Sequence, residues 1–514
     1  NFSFFYISPM QTPISFIGQT YRNIFNGSFS VILVGISSLI LTPIILNNLG
    51  KELYGLWLIL FNFLAYFYLV DFGITSAVVR LIAKYNVTRN SDLYRLVSTI
   101  YILIIVLACL LLTLLIQIRD PIFFFLEIDN HLYSTYNFLF YIGIFEVTSQ
   151  LILRVNIGIL KGNHRYDIAY KIESLGAVSR LITVLFLASF GLFNLFSFAI
   201  AYSLIKVLCD SVSFFYIRNY IKKIRFIFDY NILKELSDIG SSTLFITIFG
   251  FLINSVPIVL FGKFFGLSAV ILYSIPFAMT RIITRVINTI YNGVNPKSSE
   301  LKALENEMLI NQISSFGVKI ASIISLTTLG FFIIFGEEIL RLWLGSSIIQ
   351  DSEFLVMFNI LIILLFFLFL DTTQKVNIFI YKSSGFHWYV TLESLISVVC
   401  LYLFSFFLFD YLGLYIFAFA LILTGVIKYF YYKFISNRTM RTYSHSLAVL
   451  TMMIFYCLFL FYVNSFFIDS LVEKLIIFFS WTFVFLIICY FYLLSSNEKN
   501  LIFTQLSIIL SKIR

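Results

Sequence analysis

Runs of apolar residues recur along the whole chain, separated by short segments that carry charged residues, glycine or asparagine. Each run has about 18 residues or more, which is enough for an α-helix to cross a hydrocarbon core roughly 30 Å thick. The pattern therefore predicts an all-α polytopic membrane protein with about 14 membrane-spanning helices. The predicted helices are 25–47, 53–78, 93–117, 136–158, 168–190, 193–217, 240–262, 267–290, 313–335, 354–380, 389–409, 412–434, 446–468 and 472–494.

Composition agrees with a chain whose main solvent is lipid. Hydrophobic residues make up 60% of the 514 residues and charged residues 12%, against about 25% charged in a soluble domain. This excludes a soluble enzyme. The net charge of +9 is explained by membrane orientation, so we expect no nucleic-acid partner.

The positive charges alternate between the connections of the predicted helices. Tails and even-numbered connections, with the adjoining parts of the spans, hold 28 lysines and arginines, and the odd-numbered connections with their adjoining parts hold 5. Because cationic loops stay in the cytoplasm, both termini are expected there. The predicted domains are a cytoplasmic N-terminal segment (1–24), an N-lobe (25–217), a basic cytoplasmic linker (218–239), a C-lobe (240–434), helices 13 and 14 (435–494) and a cytoplasmic tail (495–514).

Two pairs of segments indicate an internal repeat. KGNHRYDIAYKIESLG at 161–176 resembles KSSGFHWYVTLESLIS at 382–397, and in both 42–55 and 256–266 a Pro near the end of a span precedes a predicted Gly-Lys turn. Two six-helix copies would be parallel repeats about an axis normal to the membrane, with a cavity between them. Chance similarity between segments rich in Phe, Ile and Leu is the alternative.

Charged residues inside the spans cannot all face lipid, since each costs about 2.5–3.5 kcal/mol at mid-membrane. Some snorkel from the span ends, and the others must pair or face a hydrated cavity. Arg281 and Arg285 are four residues apart, so they share one helix face with Asn288 and Asn292. The hypothesis is a basic cavity lining that binds phosphate bidentately, with the two asparagines contacting sugar. The proposed lining residues are Arg80, Arg154, Arg180, Arg281 and Arg285.

Helical spacing also predicts local ion pairs, Asp371 with Lys375 and Lys206 with Asp210. Candidates for coupling to a proton or cation are Asp71, Glu146, Glu173 and Glu393. The alternative for each carboxylate is a structural pairing with an arginine. The chain has no GxSxG, Walker A, DxD or HExxH motif, and its cysteines form no CxxC pair. We therefore predict no enzyme activity, no metal and no cofactor.

Four stretches resemble the bacterial polysaccharide transporter family, the flippases of O-antigen and capsule repeat units. They are GKELYGLWLILFNFLAYFYLVDFGITSAVVRLIAKY (50–85), LKGNHRYD (160–167), IYNGVNPKSSEL (290–301) and FGEEILRLWLG (335–345). The resemblance implies the architecture of multidrug and toxin extruders: two six-helix lobes in a V shape, a cavity that alternates between sides, and two further C-terminal helices. Within 50–85, Gly73 favours a bend. The alternative is an ordinary helix end capped by Asp71.

The resemblance and the basic spans together predict a flippase. Its expected cargo is an undecaprenyl-pyrophosphate-linked oligosaccharide, moved across a bacterial inner membrane by alternating access. Besides this cargo and the bilayer, further candidate partners are the polysaccharide polymerase and the chain-length machinery. A cation-coupled multidrug exporter is the alternative, and it predicts an acidic cavity. A membrane glycosyltransferase or repeat-unit polymerase is less favoured, because no outward loop is long enough for a domain.

Overall fold

The computed structural model describes residues 13–64, 67, 73–88, 92–221, 227–292, 307–345, 348–383, 386–439, 456 and 471–493. Within these ranges the regular structure is helical throughout. The helices are α1 (Pro13–Leu64), α2 (Ile74–Thr88), α3 (Leu93–Phe125), α4 (Tyr133–Gly162), α5 (Tyr166–Ser189), α6 (Leu195–Ile221), α7 (Tyr230–Asn254), α8 (Val256–Phe265), α9 (Val270–Asn292), α10 (Glu307–Leu344), α11 (Asp351–Ser383), α12 (His387–Phe407), α13 (Phe409–Leu412), α14 (Ile416–Thr439) and α15 (Leu471–Ile488).

The predicted fold class is confirmed. In the part of the chain that the structure describes, 12 helices are long and apolar enough to cross a membrane. One of these, Phe29–Leu64, covers most of the first predicted span, 25–47, and residues 53–64 of the second. The thirteenth predicted span, 446–468, lies outside the described residues except for Tyr456. These two differences explain why fourteen spans are predicted and twelve are found in the described residues.

Two glycines break the helices in this region, Gly50 between the first two predicted spans and Gly73 within the second. Gly50 lies inside α1 with φ 77° and ψ 175°, so α1 consists of two helical segments that meet there. Gly73 has φ 75°, and α2 begins at the next residue. Positive φ is inexpensive only for glycine, which explains a break at each site. The predicted helix 53–78 is therefore wrong as one continuous element: helix α1 ends at Leu64 and a second helix begins at Ile74.

The chain folds into two compact units, unit 1 (residues 1–49 and 60–247) and unit 2 (residues 50–59 and 248–514). In unit 1, α4 packs against α2, α3, α5 and α6. Gly162 allows the close approach to α2, because a Cβ there would lie 2.7 Å from Ile82 Cβ and 3.0 Å from the Val79 carbonyl oxygen. Small residues at such crossings let helix backbones pack closely within a membrane.

In unit 2, α11 packs against α9, α10, α12 and α14. The segment 50–59 belongs to this unit because Gly55 lies against the Leu267 carbonyl and Ile59 packs over Gly262. The predicted Gly262-Lys263 turn is wrong: both residues lie within α8, and the turn follows at Gly266, where φ is 87°. Glycine is needed at 262 for contact, since a Cβ would lie 2.1 Å from Ile59 Cδ1.

The last described helix, α15, docks on α10 within unit 2. The Phe478 ring lies 5.5 Å from Phe331 and 5.8 Å from Phe335. At one end of this aromatic contact, Lys474 forms an ion pair with Glu338. The contact thus combines ring packing with a charge pair that fixes the register of the two helices.

Candidate functional site

Helix α9 has one buried and one basic face. Its buried face, with Tyr273, Phe277 and Ile287, packs in unit 2, where α9 lies against α11. Arg281 and Arg285 follow Phe277 at intervals of four residues, on a face beside the buried one, and their side chains are exposed. A spacing of four residues places them about 6 Å apart along the axis. We call Arg281 and Arg285 the arginine face.

Neither arginine is neutralised within the described residues. No described carboxylate lies within ion-pair distance of Arg281 or Arg285, and the Arg281 guanidinium lies 5.9 Å from the centroid of the Phe277 ring. Both lie in the candidate span Leu267–Asn288. Facing lipid would cost the pair about 5–7 kcal/mol. The arginine face therefore requires water or an anion in front of it.

The asparagines predicted on this face differ in what the structure describes. Asn288 is half-buried, and its amide oxygen has no hydrogen-bond partner among the described residues. Asn292 is the last residue of α9, and its side chain lies outside the described part of the structure. Asn288 thus retains an acceptor one turn beyond Arg285.

The other three predicted arginines have different surroundings. Arg80 is exposed on α2 with no ion-pair partner within the described ranges, and Arg154 is half-buried on α4. Arg180, on α5, donates to the Gly176 carbonyl oxygen at 3.1 Å and to the Tyr202 hydroxyl at 3.3 Å. Its guanidinium also lies over the Tyr202 ring, 4.9 Å from the centroid. Arg180 is therefore held by the packing of α5 on α6.

Unit 1 contains a cluster of two carboxylates and two cations, Glu146, Asp210, Arg180 and Lys206, which we call the unit 1 cluster. Lys206 Nζ on α6 lies 3.6 Å from Glu146 Oε1 on α4. Ser203 donates to Glu146 at 2.7 Å. Asp210 accepts from Gln150 at 2.7 Å, and both carboxylates lie within electrostatic range of Arg180.

This arrangement corrects one prediction. Lys206 pairs with Glu146 on another helix instead of with Asp210 four residues along its own. Arg180, which is predicted from the sequence to belong to a basic lining, lies within electrostatic range of two acids, one on α4 and one on α6. Tertiary packing determines which acids these two cations meet, because a charge buried between helices is stabilised by an opposite charge on a neighbouring helix.

Unit 2 also contains a cluster of two carboxylates and two cations, which we call the unit 2 cluster. Its members are Asp371, Glu393, Lys375 and Lys428. The predicted Asp371–Lys375 pair is present at 3.0 Å. Lys428 on α14 lies 3.1 Å from Asp371 and 3.3 Å from Glu393 on α12. Ser397 donates to Glu393 at 2.9 Å. Glu393 is 3% exposed, so it depends on these partners for its charge.

The four candidate coupling carboxylates do not share one environment. Glu146 and Glu393 are buried and paired with lysines, and Glu173 is exposed on α5. Asp71 lies outside the described residues. An arginine is the alternative partner predicted from the sequence for each of these carboxylates. At the two buried positions, Glu146 and Glu393, the ion-pair partner is a lysine.

Two polar features escaped the sequence reasoning. Residues 372–377 continue the polar run after Asp371, and Thr372, Gln374 and Asn377 are buried. In unit 1, buried Asn156 accepts a hydrogen bond from Tyr101 and donates to Ser213 at 2.9 Å. The run DTTQKVN was a usable signal, since six of its seven residues are polar within an apolar helix. A single asparagine such as Asn156 gave none.

Comparison with protein families gives one match. The family model described as "Polysaccharide biosynthesis protein" matches residues 49–350. This range includes all four stretches on which the sequence resemblance rests, and the resemblance is confirmed. None of the curated protein sequences compared with the chain matches it.

Solved structures of membrane transporters share the fold. "Lipid II flippase MurJ, inward closed conformation" has a TM-score of 0.66 at 15% identity, covering 93% of this chain and 99% of that one. An inward-facing multidrug resistance MATE family transporter of the MOP superfamily has a TM-score of 0.65 at 17% identity, covering 82% of this chain and 96% of that one. A MOP superfamily transporter from Pyrococcus furiosus, described as having a binding pocket of reverse polarity, has a TM-score of 0.54 at 15% identity, covering 80% of this chain and 96% of that one. At these identities the likeness is one of fold.

Proposed function

This chain belongs to the polysaccharide biosynthesis protein family, and from that premise we propose that it is a flippase for lipid-linked oligosaccharides. The cargo we infer is an undecaprenyl-pyrophosphate-linked repeat unit of an O-antigen or a capsule. It moves from the inner to the outer leaflet of a bacterial inner membrane. The protein acts as a transporter and not as an enzyme.

The arginine face is the observation that carries this proposal. Two exposed guanidinium groups within a membrane span attract an anion, and Arg281 and Arg285 lie one helical turn apart. Guanidinium groups bind phosphate oxygens bidentately and remain charged when poorly hydrated. A pyrophosphate offers two adjacent anionic groups, which suits two such donors. Arg80 and Arg154, both in unit 1, stay predictions from the sequence, and Asn288 on α9 would accept a hydrogen bond from a sugar hydroxyl.

The paired state of the acids argues against the exporter alternative. A cavity for cationic drugs needs carboxylates that are available to the drug. Glu146 and Glu393 are instead buried against lysines. Arg80, Arg281 and Arg285 have no carboxylate within ion-pair distance among the described residues, which favours an anionic cargo.

Transport by alternating access would use the two predicted lobes, 25–217 and 240–434, with both termini in the cytoplasm. The excess of cations in the even-numbered connections supports this orientation. The polyprenyl tail would remain in lipid while the head group crosses. Polymerase and chain-length proteins would act on the product afterwards, as proposed partners.

Reconstitution tests the role of the arginine face. Proteoliposomes carry a fluorescent undecaprenyl-pyrophosphate-linked repeat unit, and an impermeant quencher measures how much of it changes leaflet. Arg281→Glu with Arg285→Glu should abolish translocation. Each single Arg→Gln variant should weaken apparent affinity for the cargo by about tenfold to a hundredfold, as expected for charge-assisted hydrogen bonds.

Arg165→Gln is the matched control, because Arg165 is an arginine at a helix end that pairs with Asp167 at 3.1 Å. It should translocate like the wild type. In cells, deletion of the gene should strand lipid-linked repeat units on the cytoplasmic leaflet. Normal surface polysaccharide in that strain, or full activity of the double Glu variant, would overturn the proposal. Efflux of a cationic dye with no lipid translocation would favour the exporter.

A further inference from the structure

One ammonium group joins two buried carboxylates in unit 2. Lys428 Nζ is 3.1 Å from Asp371 Oδ1 and 3.3 Å from Glu393 Oε1. Its side chain is 10% exposed, that of Asp371 14% and that of Glu393 3%. Two carboxylates that converge on one point inside a membrane protein require a positive charge at that point. The chain supplies that charge from α14.

Unit 1 contains a related lysine at the repeat distance, Lys206, for which the described residues show an ion pair with one carboxylate. Lys206 precedes Lys428 by 222 residues, and Gly162 precedes Gly385 by 223. Lys206 on α6 reaches Glu146 on α4, just as Lys428 on α14 reaches Asp371 on α11. The lysine joins α6 to α4 in unit 1 and α14 to α11 in unit 2. In each cluster a serine hydroxyl donates a hydrogen bond to one of the carboxylates. An ammonium in both halves of the repeat indicates that the position has a specific use.

We propose that Lys428 is a tethered cation: its ammonium occupies the point between Asp371 and Glu393 at which a mobile monovalent cation would otherwise bind. The wild-type unit 2 cluster therefore takes no Na+ or proton at this point. Removal of the ammonium alone converts the pocket into a cation-binding site. The residue thus determines whether unit 2 responds to a cation, and the inference does not depend on the identity of the transported cargo.

The groups around Lys428 would suit a small hard cation, which prefers oxygen ligands. Besides the two carboxylates, Ser397 places a hydroxyl 2.9 Å from Glu393 Oε1. The buried Tyr432 hydroxyl lies within electrostatic range of Asp371 and Glu393 and has no hydrogen-bond partner among the described residues. Among the described residues, Tyr431 and Tyr432 lie within electrostatic range of the cluster's carboxylates, and Tyr381 and Tyr389 lie within range of these two tyrosines.

Charge balance explains why no mobile cation is needed in the wild type. Two positive charges, those of Lys375 and Lys428, balance the two negative charges of Asp371 and Glu393. The cluster therefore has no net charge. Lys428→Met leaves one negative charge in excess and opens the space between the carboxylates. Lys375→Met produces the same excess but leaves the ammonium of Lys428 in place, which makes it the matched control.

The test is a cation titration of the purified full-length protein in nanodiscs, followed by thermal unfolding. NaCl replaces choline chloride at constant ionic strength. Lys428→Met should show a saturable rise of the unfolding midpoint by about 2–4 °C as Na+ increases, since a bound ligand stabilises the folded state. Wild type and Lys375→Met should not distinguish Na+ from choline. A rise at lower pH without a Na+ response would identify the proton as the cation that replaces the ammonium.

Three results would overturn the proposal. One is a folded Lys428→Met protein that responds to neither Na+ nor pH, and another is an equal response of Lys375→Met. The third is a saturable Na+ response in the wild type that Asp371→Asn removes, because a mobile cation would then share the site with Lys428. This last measurement decides the question even where Lys428→Met does not fold. None of these results bears on whether the arginine face binds pyrophosphate.

Discussion

The contact between Lys206 and Glu146 offers the sharpest prediction for unit 1. Lys206 Nζ lies 3.6 Å from Glu146 Oε1, and the two side chains are 23% and 8% exposed. Lys206→Met keeps most of the side-chain length and removes the charge. Glu146 would then retain the Ser203 hydroxyl at 2.7 Å and the more distant Arg180. The variant therefore leaves a buried carboxylate with weaker compensation.

The expected loss follows from the separation of the charges. Two unit charges at 3.6 Å attract by about 4–5 kcal/mol at an effective dielectric constant of about 20. Partial exposure and the remaining Ser203 and Arg180 contacts reduce what is lost. We expect Lys206→Met to lower the free energy of unfolding by about 2–3 kcal/mol, below the 3–5 kcal/mol typical of a fully buried pair.

A double-mutant cycle isolates the interaction of the two side chains. Reversible unfolding in mixed micelles, followed by circular dichroism, gives the free energies of wild type, Lys206→Met, Glu146→Gln and the double variant. The double variant should be more stable than Lys206→Met, with a coupling energy of about 1–2 kcal/mol. Lys171→Met is the matched control, since Lys171 is exposed on α5, and it should change stability by less than about 0.5 kcal/mol.

A coupling energy indistinguishable from zero would refute this reasoning. It would mean that Glu146 is neutral in the folded protein or that Lys206 is compensated by another group. Equal destabilisation by Lys171→Met would also refute it, because the loss would then reflect net charge and not the contact.

Two further predictions concern packing within each unit. Gly162→Ala should lower the free energy of unfolding by about 1–3 kcal/mol, because its Cβ would lie 2.7 Å from Ile82 Cβ; Gly176→Ala, whose Cβ would meet only Cys209 at 3.7 Å, should be tolerated in the same assay. Phe478→Ala should loosen α15 from α10 and speed proteolysis of the C-terminal segment, whereas Phe479→Ala, at a residue 65% exposed, should not. Equal behaviour within either pair would count against the packing assigned here.

The sequence predicted those parts of the site that depend on a single helix. Arg281 and Arg285 share a face because the α-helix repeats every 3.6 residues, and this holds whatever α9 packs against. The Asp371–Lys375 pair follows from the same periodicity and is present. Span positions were predictable for a similar reason, since length and apolarity are local properties.

Contacts between helices were not predictable from spacing. Lys206 had Asp210 available on its own helix, yet it pairs with Glu146 on α4. The choice depends on how α4 and α6 cross, which no local pattern encodes. The same limit applies to Gly262, where the sequence favours a turn and the structure uses the missing side chain for contact with Ile59. The repeat at a distance of 222 residues relates Lys206 to Lys428 but does not identify the partners of either lysine.

The distribution of paired and unpaired cations bears on the direction of transport. Within the described residues, four of the five basic residues of the odd-numbered connections and adjoining helix ends pair with acids: Lys51 with Glu353, Arg119 with Asp120, Arg341 with Glu337 and Asp351, and Lys474 with Glu338. In the proposed orientation these ends face the outside of the cell. A pyrophosphate drawn to the arginine face would find cations there that are already compensated, so it would bind less strongly at the outer end of its path. A flippase needs to bind the pyrophosphate inside the span and to release it at the outer end. The first requirement is met by arginines within the span, and the second by pairing the cations at the outer end with acids.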